Sequence, residues 1–112
     1  MNNNPKFKQV ECGDYHTGFL TESGVLYVTG DNSTGQLGLE KMPLNQNEKL
    51  QSSDRTNMTT YPLAVDFNNQ LKIRKLAFGS QFSSLLTFSG EVYLWGNGDL
   101  KVPTVLKADH TN

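Results

Sequence analysis

Most of residues 10–39, VECGDYHTGFLTESGVLYVTGDNSTGQLGL, returns in degraded form as residues 76–98, LAFGSQFSSLLTFSGEVYLWGNG, at a constant offset of 66 residues and without a gap. Identities fall at Gly13/Gly79, Leu20/Leu86, Thr21/Thr87, Ser23/Ser89, Gly24/Gly90, Tyr27/Tyr93 and Gly30/Gly96. Glycine thus recurs at three matching turn positions, with apolar residues matched between them. A long-period internal repeat constrains architecture more than any local signal, because each copy must be one supersecondary unit that buries its apolar surface against a neighbour.

Each copy reads as strand, turn, strand, turn, strand. Phe7, Gln9 and Glu11 alternate with Lys8, Val10 and Cys12, and the more apolar Val10 and Cys12 are expected on the better-buried face. Cys12 aligns with Phe78, which also predicts a buried apolar position. Residues 17–21 and 25–29 form the next two strands, joined at Glu22-Ser23-Gly24, where glycine supplies a positive φ. Gly30 is expected to end the third strand, because without a Cβ it can adopt turn dihedrals or let another backbone approach closely. Strands over 72–78, 83–88 and 91–95 repeat the series, and Gly96-Asn97-Gly98 closes it as a turn. Of Tyr93 and Trp95, one is expected in the core and the other toward the surface. The sequence divides into a polar tail (1–5), a first repeat with its glycine-rich loop (6–39), a polar connecting loop (40–61), a second repeat (62–106) and a tail (107–112). Residues 102–106, VPTVL, echo residues 62–65, PLAV, as though a third copy were starting.

Several chemistries are disfavoured. Ten Lys+Arg against eleven Asp+Glu give a net charge of −1, without a cationic surplus for phosphate neutralisation, so direct nucleic-acid contact is not expected. No run approaches the ~20 apolar residues of a membrane helix. The first residues, MNNNPK, lack the apolar core of a secretory signal, which leaves the cytosol, the nucleus or an organelle. Cys12 is the single cysteine, so neither an intrachain disulfide nor a cysteine zinc cluster is available. The segment Gly30-Asp31-Asn32-Ser33-Thr34-Gly35 has the glycine spacing of a phosphate loop, but Gln36-Leu37 stand where Lys and Ser/Thr would be required. The Asn-x-Ser/Thr sequons at Asn32 and Asn57 read as chance. His16 aligns with Phe82, so it reads as a packed ring with one hydrogen bond. His110 has no second histidine nearby, and no ligand spacing suggests a metal. Asp14, Asp31 and Glu91 lie at turns and are expected to face solvent. No serine sits in a nucleophile elbow. No catalytic, cofactor or metal residue is assigned.

The series Cys12-Gly13-x-x-His16-Thr17, then Leu20-Thr21-x-x-Gly24-x-x-Tyr27-x-x-Gly30-x-Asn32-x-x-Gly35-Gln36-Leu37-Gly38-Leu39, resembles the repeat of the regulator of chromosome condensation family. The second copy keeps Gly79, Leu86-Thr87, Gly90, Val92-Tyr93 and Trp95-Gly96-Asn97. It departs at Phe82-Ser83, where the pattern has His-Thr, and it lacks the Gly-Gln-Leu-Gly-Leu tail. The resemblance implies an all-β fold: about two blades of a β-propeller, each a four-stranded antiparallel sheet, forming a partial propeller. On that reading Gly13, Gly24, Gly30, Gly35, Gly38, Gly79, Gly90 and Gly96 are structural repeat turns.

Two blades leave edges and apolar faces open. Three resolutions are expected: a longer parent chain, further copies of the repeat, or a protein partner that supplies the missing faces. The first functional expectation is therefore a non-enzymatic protein–protein interaction module, a structural component of a larger assembly. Its contact residues are expected at Asp31, Asn32, Gln36, Asp54, Arg55 and Asn97. The resemblance also implies two alternatives, guanine-nucleotide exchange on a small GTPase and association with chromatin. No cofactor is implied.

Overall fold

A computed structural model describes residues 4–39, 58–65, 67 and 71–106. It contains β1 (Phe7–Cys12), β2 (His16–Thr21), β3 (Leu26–Asp31), β4 (Met58–Ala64), β5 (Ile73–Phe78), β6 (Phe82–Thr87), β7 (Val92–Gly96) and β8 (Leu100–Val105). These form two antiparallel four-stranded sheets, ordered β1-β2-β3-β4 and β5-β6-β7-β8. The registers coincide at the sequence offset: Phe19 faces Leu26's neighbour Tyr27 as Leu85 faces Tyr93, and His16 faces Gly30 as Phe82 faces Gly96.

The matched hairpins show why their residues recur. The Thr21 hydroxyl accepts the Val25 amide at 2.9 Å, and the Thr87 hydroxyl accepts the Glu91 amide at 3.0 Å. Gly24 and Gly90 turn the chain at φ of 94° and 95°. Threonine satisfies a donor that the tight turn would otherwise strand, so Thr-x-Ser-Gly is kept as a unit.

The sheets pack face to face around one apolar cluster. Leu20, Leu26, Val28, Leu37 and Val65 meet Ile73, Leu76, Leu85 and Trp95. The phase of burial inverts between the copies. On β2 the buried side chains include His16 and Leu20, whereas on β6 they are Ser83, Leu85 and Thr87. Equivalent strands bury opposite faces because the first blade packs through one face and the second through the other.

That inversion corrects the first-strand expectation. Cys12 and Val10 are exposed, while Gln9 and Glu11 are half-buried. Cys12 and Phe78 are equivalent, as aligned, but Phe78 turns toward the other blade and Cys12 turns away from it. The division at 61/62 also moves. β4 starts at Met58 and pairs with β3, so residues 62–64 complete the first sheet. Residues 102–106 start no third copy. β8 is the fourth strand of the second sheet and pairs with β7, as β4 pairs with β3. The echo between the two segments is therefore real, but it marks equivalent closing strands. Tyr93 and Trp95 stand two apart on β7 and share a face, so both pack on the core. Gly30 does not end β3, which continues to Asp31. A Cβ there would collide with the Tyr15 carbonyl, so the close-approach reading of this glycine holds.

Candidate interaction surfaces

Strand β1 and the loop after β3 join the blades. Gln9 uses both ends of its amide across the gap, accepting from Leu76 N at 2.9 Å and donating to Leu76 O at 3.0 Å. At one end of the sheets, Asp14 N donates to Ser80 O at 3.0 Å and the Ser80 hydroxyl donates to the Asp14 carboxylate at 2.7 Å. Asp14 is thus solvent-exposed, as expected, yet tied to the second blade. Deeper in, the His16 ring stacks on Phe78, with centroids 4.8 Å apart and planes 15° from parallel. Its Nε2 lies 2.9 Å from the Ser83 hydroxyl, which donates to the Gln36 carbonyl at 2.7 Å.

Burial lowers the His16 pKa below its ordinary value of 6.5, and the Phe82 backbone, Asp31 and Asp14 oppose that shift. Desolvation wins because the ring is only 2% exposed. Gly13 and Gly79 serve His16 and Phe82 in the same way. A Cβ at either position would occupy the space of the aromatic ring three residues on.

Residues 31–38 form a clasp rather than a phosphate cradle. The Asp31 carboxylate accepts from Ser33 N at 3.3 Å, from Ser33 Oγ at 2.7 Å and from Gln36 Nε2 at 3.1 Å. Gln36 Oε1 accepts from Thr34 N at 2.9 Å and from Thr34 Oγ1 at 2.7 Å, while Asn32 Oδ1 accepts from Leu37 N at 2.9 Å. This inward network turns Leu37 into the shared core. A Cβ on Gly38 would stand 2.8 Å from Trp95 Nε1, so the loop backbone lies directly on the indole. The acceptor and donor ends of Gln36 are both needed, which explains an amide at that position.

The expected contact residues therefore fall in different places. Gln36 has no exposed surface, and Asp31 and Asn32 are half-buried with their side-chain oxygens engaged in the clasp. Asp31 does not face solvent freely, contrary to its expectation as a turn residue. Asn97 is exposed at φ 59°, at the tight β7–β8 turn. Asp54 and Arg55 lie outside the described residues, as does His110.

Sequence reasoning missed Gln9 and Ser83, whose partners are backbone or side-chain atoms some 67 residues away. The departure of Phe82-Ser83 from the repeat pattern was the available signal for Ser83. For Gln9 there was none, since its partners on the second blade are main-chain atoms.

Among the described residues, nothing covers two faces. On the first blade, Val10, Phe19 and Tyr27 share the face turned away from the core, and the Phe7 ring lies 5.5 Å from Phe19 and 6.2 Å from Tyr27. On the second blade, Phe82, Ser84 and Leu86 turn outward. Val10 is 52% exposed and Phe82 42%. Among the described residues, no group of three or more His, Cys, Asp or Glu could hold a metal, and no helix is long and apolar enough to cross a membrane.

The sequence matches the Regulator of chromosome condensation (RCC1) repeat over residues 7–36 and again over residues 23–86. It is 37% identical over 92 residues to the X-linked retinitis pigmentosa GTPase regulator of Canis lupus familiaris, covering 82% of this chain and 8% of the relative. It is 33% identical over 90 residues to the Protein RCC2 homolog of Xenopus laevis, covering 80% of this chain and 15% of the relative. The fold is similar to that of yeast RCC1 (Prp20) in its crystal structure with Kap60, with a TM-score of 0.81 at 24% identity, covering 99% of this chain and 27% of that one. It is also similar to Prp20p of Saccharomyces cerevisiae, a structure described with that protein's binding properties to Gsp1p and histones, with a TM-score of 0.75 at 24% identity and 28% of that chain covered. The chain thus spans a small part of each of these proteins.

Proposed function

The chain belongs to the regulator of chromosome condensation repeat family, and from that premise we propose that it is a non-enzymatic protein-interaction module, a two-blade structural component of a larger assembly. The observation that carries this reading is the pair of open blade faces. Each presents apolar and aromatic side chains at the positions that the other blade uses to build the shared core. Exposed apolar surface organised on a sheet face favours association with another protein surface. The clasp directs its polar groups inward, so the reading assigns contact to the faces around Val10 and Phe82. The exposed Asn97 turn lies at the end of the second blade.

A photo-crosslinking residue placed in turn at Val10, Phe82 and Glu22 tests this in cells producing the chain. Glu22 lies at an exposed hairpin turn away from both faces. Adducts at positions 10 and 82, and not at 22, are expected. Equal adducts at all three positions, or none at the two faces, would overturn the proposal.

A further inference from the structure

We propose that the open face of the second blade docks onto the open face of the first blade in another copy of this chain, head to tail, repeating the contact that joins the blades within one chain. This rests on the reading of the chain as an interaction module and adds the identity of the occupant.

The internal interface supplies the template. There Gly18 has no room for a Cβ, because the Phe78 ring fills that space, and His16 stacks on the same ring while bonding Ser83. Moving each residue by one repeat gives the junction between copies. Ser84 replaces Gly18 and Phe82 replaces His16 on one side, while Cys12 replaces Phe78 and Thr17 replaces Ser83 on the other. Bulk added at Ser84 is matched by bulk removed at Cys12. Thr17 keeps a hydroxyl at the place of Ser83 but not that hydroxyl's partners, since Phe82 stands for His16 and nothing stands for the Gln36 carbonyl. Leu20 and Leu85, both in the shared core, are replaced by Leu86 and Phe19, so apolar contact is kept at the centre.

Sheet faces that complement each other in this offset sense make a heterologous contact, which extends until it closes a ring or continues as a filament. A net charge of −1 per copy leaves little repulsion against it. The clasp has no equivalent at this junction. The β7–β8 connection is the short turn at Asn97-Gly98, with no counterpart of Leu37. The contact between copies is therefore weaker than the one within a chain, and assembly depends on concentration.

The test uses the full chain carrying Ser84→Cys. Within one chain, positions 12 and 84 lie on faces directed away from each other, so only the junction brings them together. Mild oxidation is expected to give a ladder of disulfide-linked species that is absent from the S84C/C12S variant. Sedimentation of the unmodified chain is expected to show mass rising with concentration, with Cys12 alkylation slowing in parallel. Phe82→Glu, at an exposed position, and Thr17→Arg, on the opposite face, should each suppress association while circular dichroism stays unchanged. A monomer at every concentration with Cys12 alkylated at a constant rate would overturn the proposal. So would association unaffected by both substitutions, or a chain that stays unfolded at all concentrations. Cellular crosslinks at position 82 whose mass is not a multiple of this chain would overturn the second copy as occupant and leave the interaction-module reading intact.

Discussion

His16 on the first blade donates its Nε2 hydrogen to the hydroxyl of Ser83 on the second, 2.9 Å away. The direction is fixed because Ser83 has a single hydroxyl hydrogen and gives it to the Gln36 carbonyl, which can only accept. Burial favours the neutral ring, and in it Nδ1 is the unprotonated nitrogen, with no hydrogen-bond partner among the described residues. The junction between the blades thus holds a neutral imidazole in one tautomer.

Stability should follow the protonation of that ring. With the folded pKa lowered by burial, the unfolded chain takes up the proton first as pH falls. The contribution of the neutral ring is complete above about pH 6.5 and is lost as pH drops through that value toward the folded pKa. Thermal unfolding should therefore shift to lower temperature between about pH 7.5 and 5.5. His16→Phe, the residue found at the equivalent position 82, should flatten that dependence. At neutral pH it should cost about 1 kcal/mol for the lost hydrogen bond. An unchanged pH profile in the variant would show that His16 does not set it.

The Gln36 amide should be irreplaceable by either of its parts. Gln36→Ala leaves Thr34 N and the Asp31 carboxylate without their buried partner and should lower stability by about 2 kcal/mol in urea unfolding. Gln36→Glu keeps the acceptor but sets a second carboxylate against Asp31. It should be the worse variant at neutral pH and recover relative to Gln36→Ala as pH approaches about 4. Equal losses at both pH values would contradict the inward network.

Gly38 and Gly24 should differ although both have positive φ, 76° and 94°. Alanine at Gly24 meets nothing within 4 Å, so only the backbone conformation opposes it, by about 1–2 kcal/mol. Alanine at Gly38 adds a collision with the Trp95 indole and should cost more. It should also change Trp95 fluorescence, which Gly24→Ala should leave alone.

The two sheets should unfold together. Trp95 lies in the second blade against a loop of the first, and the core draws on both sheets. Urea transitions followed by Trp95 fluorescence and by far-ultraviolet circular dichroism should coincide. Leu37→Ala should shift both by about 2–5 kcal/mol. Separate transitions in the unmodified chain would show that the blades are independent.

The repeat made much of this legible. Matching Thr21-x-Ser23-Gly24 with Thr87-x-Ser89-Gly90 located equivalent hairpins, and the offset placed equivalent strands. Burial was not legible from the same alignment, because equivalence does not say which face of a blade has a neighbour. Cys12 and Phe78 occupy one position in the repeat and opposite environments in the molecule. The start of β4, residues 58–61, was hidden for another reason. Their strand follows a polar connection in the first repeat and a tight turn in the second, so the closing strands fall out of the common offset. Gln36 looked like an exposed loop residue because loop position predicts exposure, whereas its burial depends on contacts that only the folded clasp supplies.

As proposed, this chain acts by binding rather than by driving a reaction in its partner. Release of labelled guanine nucleotide from a panel of small GTPases, measured with and without the purified chain, separates the two. Release rates unchanged across the panel are predicted. Acceleration of any member by the unmodified chain, lost in Phe82→Glu or in a variant of the Asn97 turn, would contradict it.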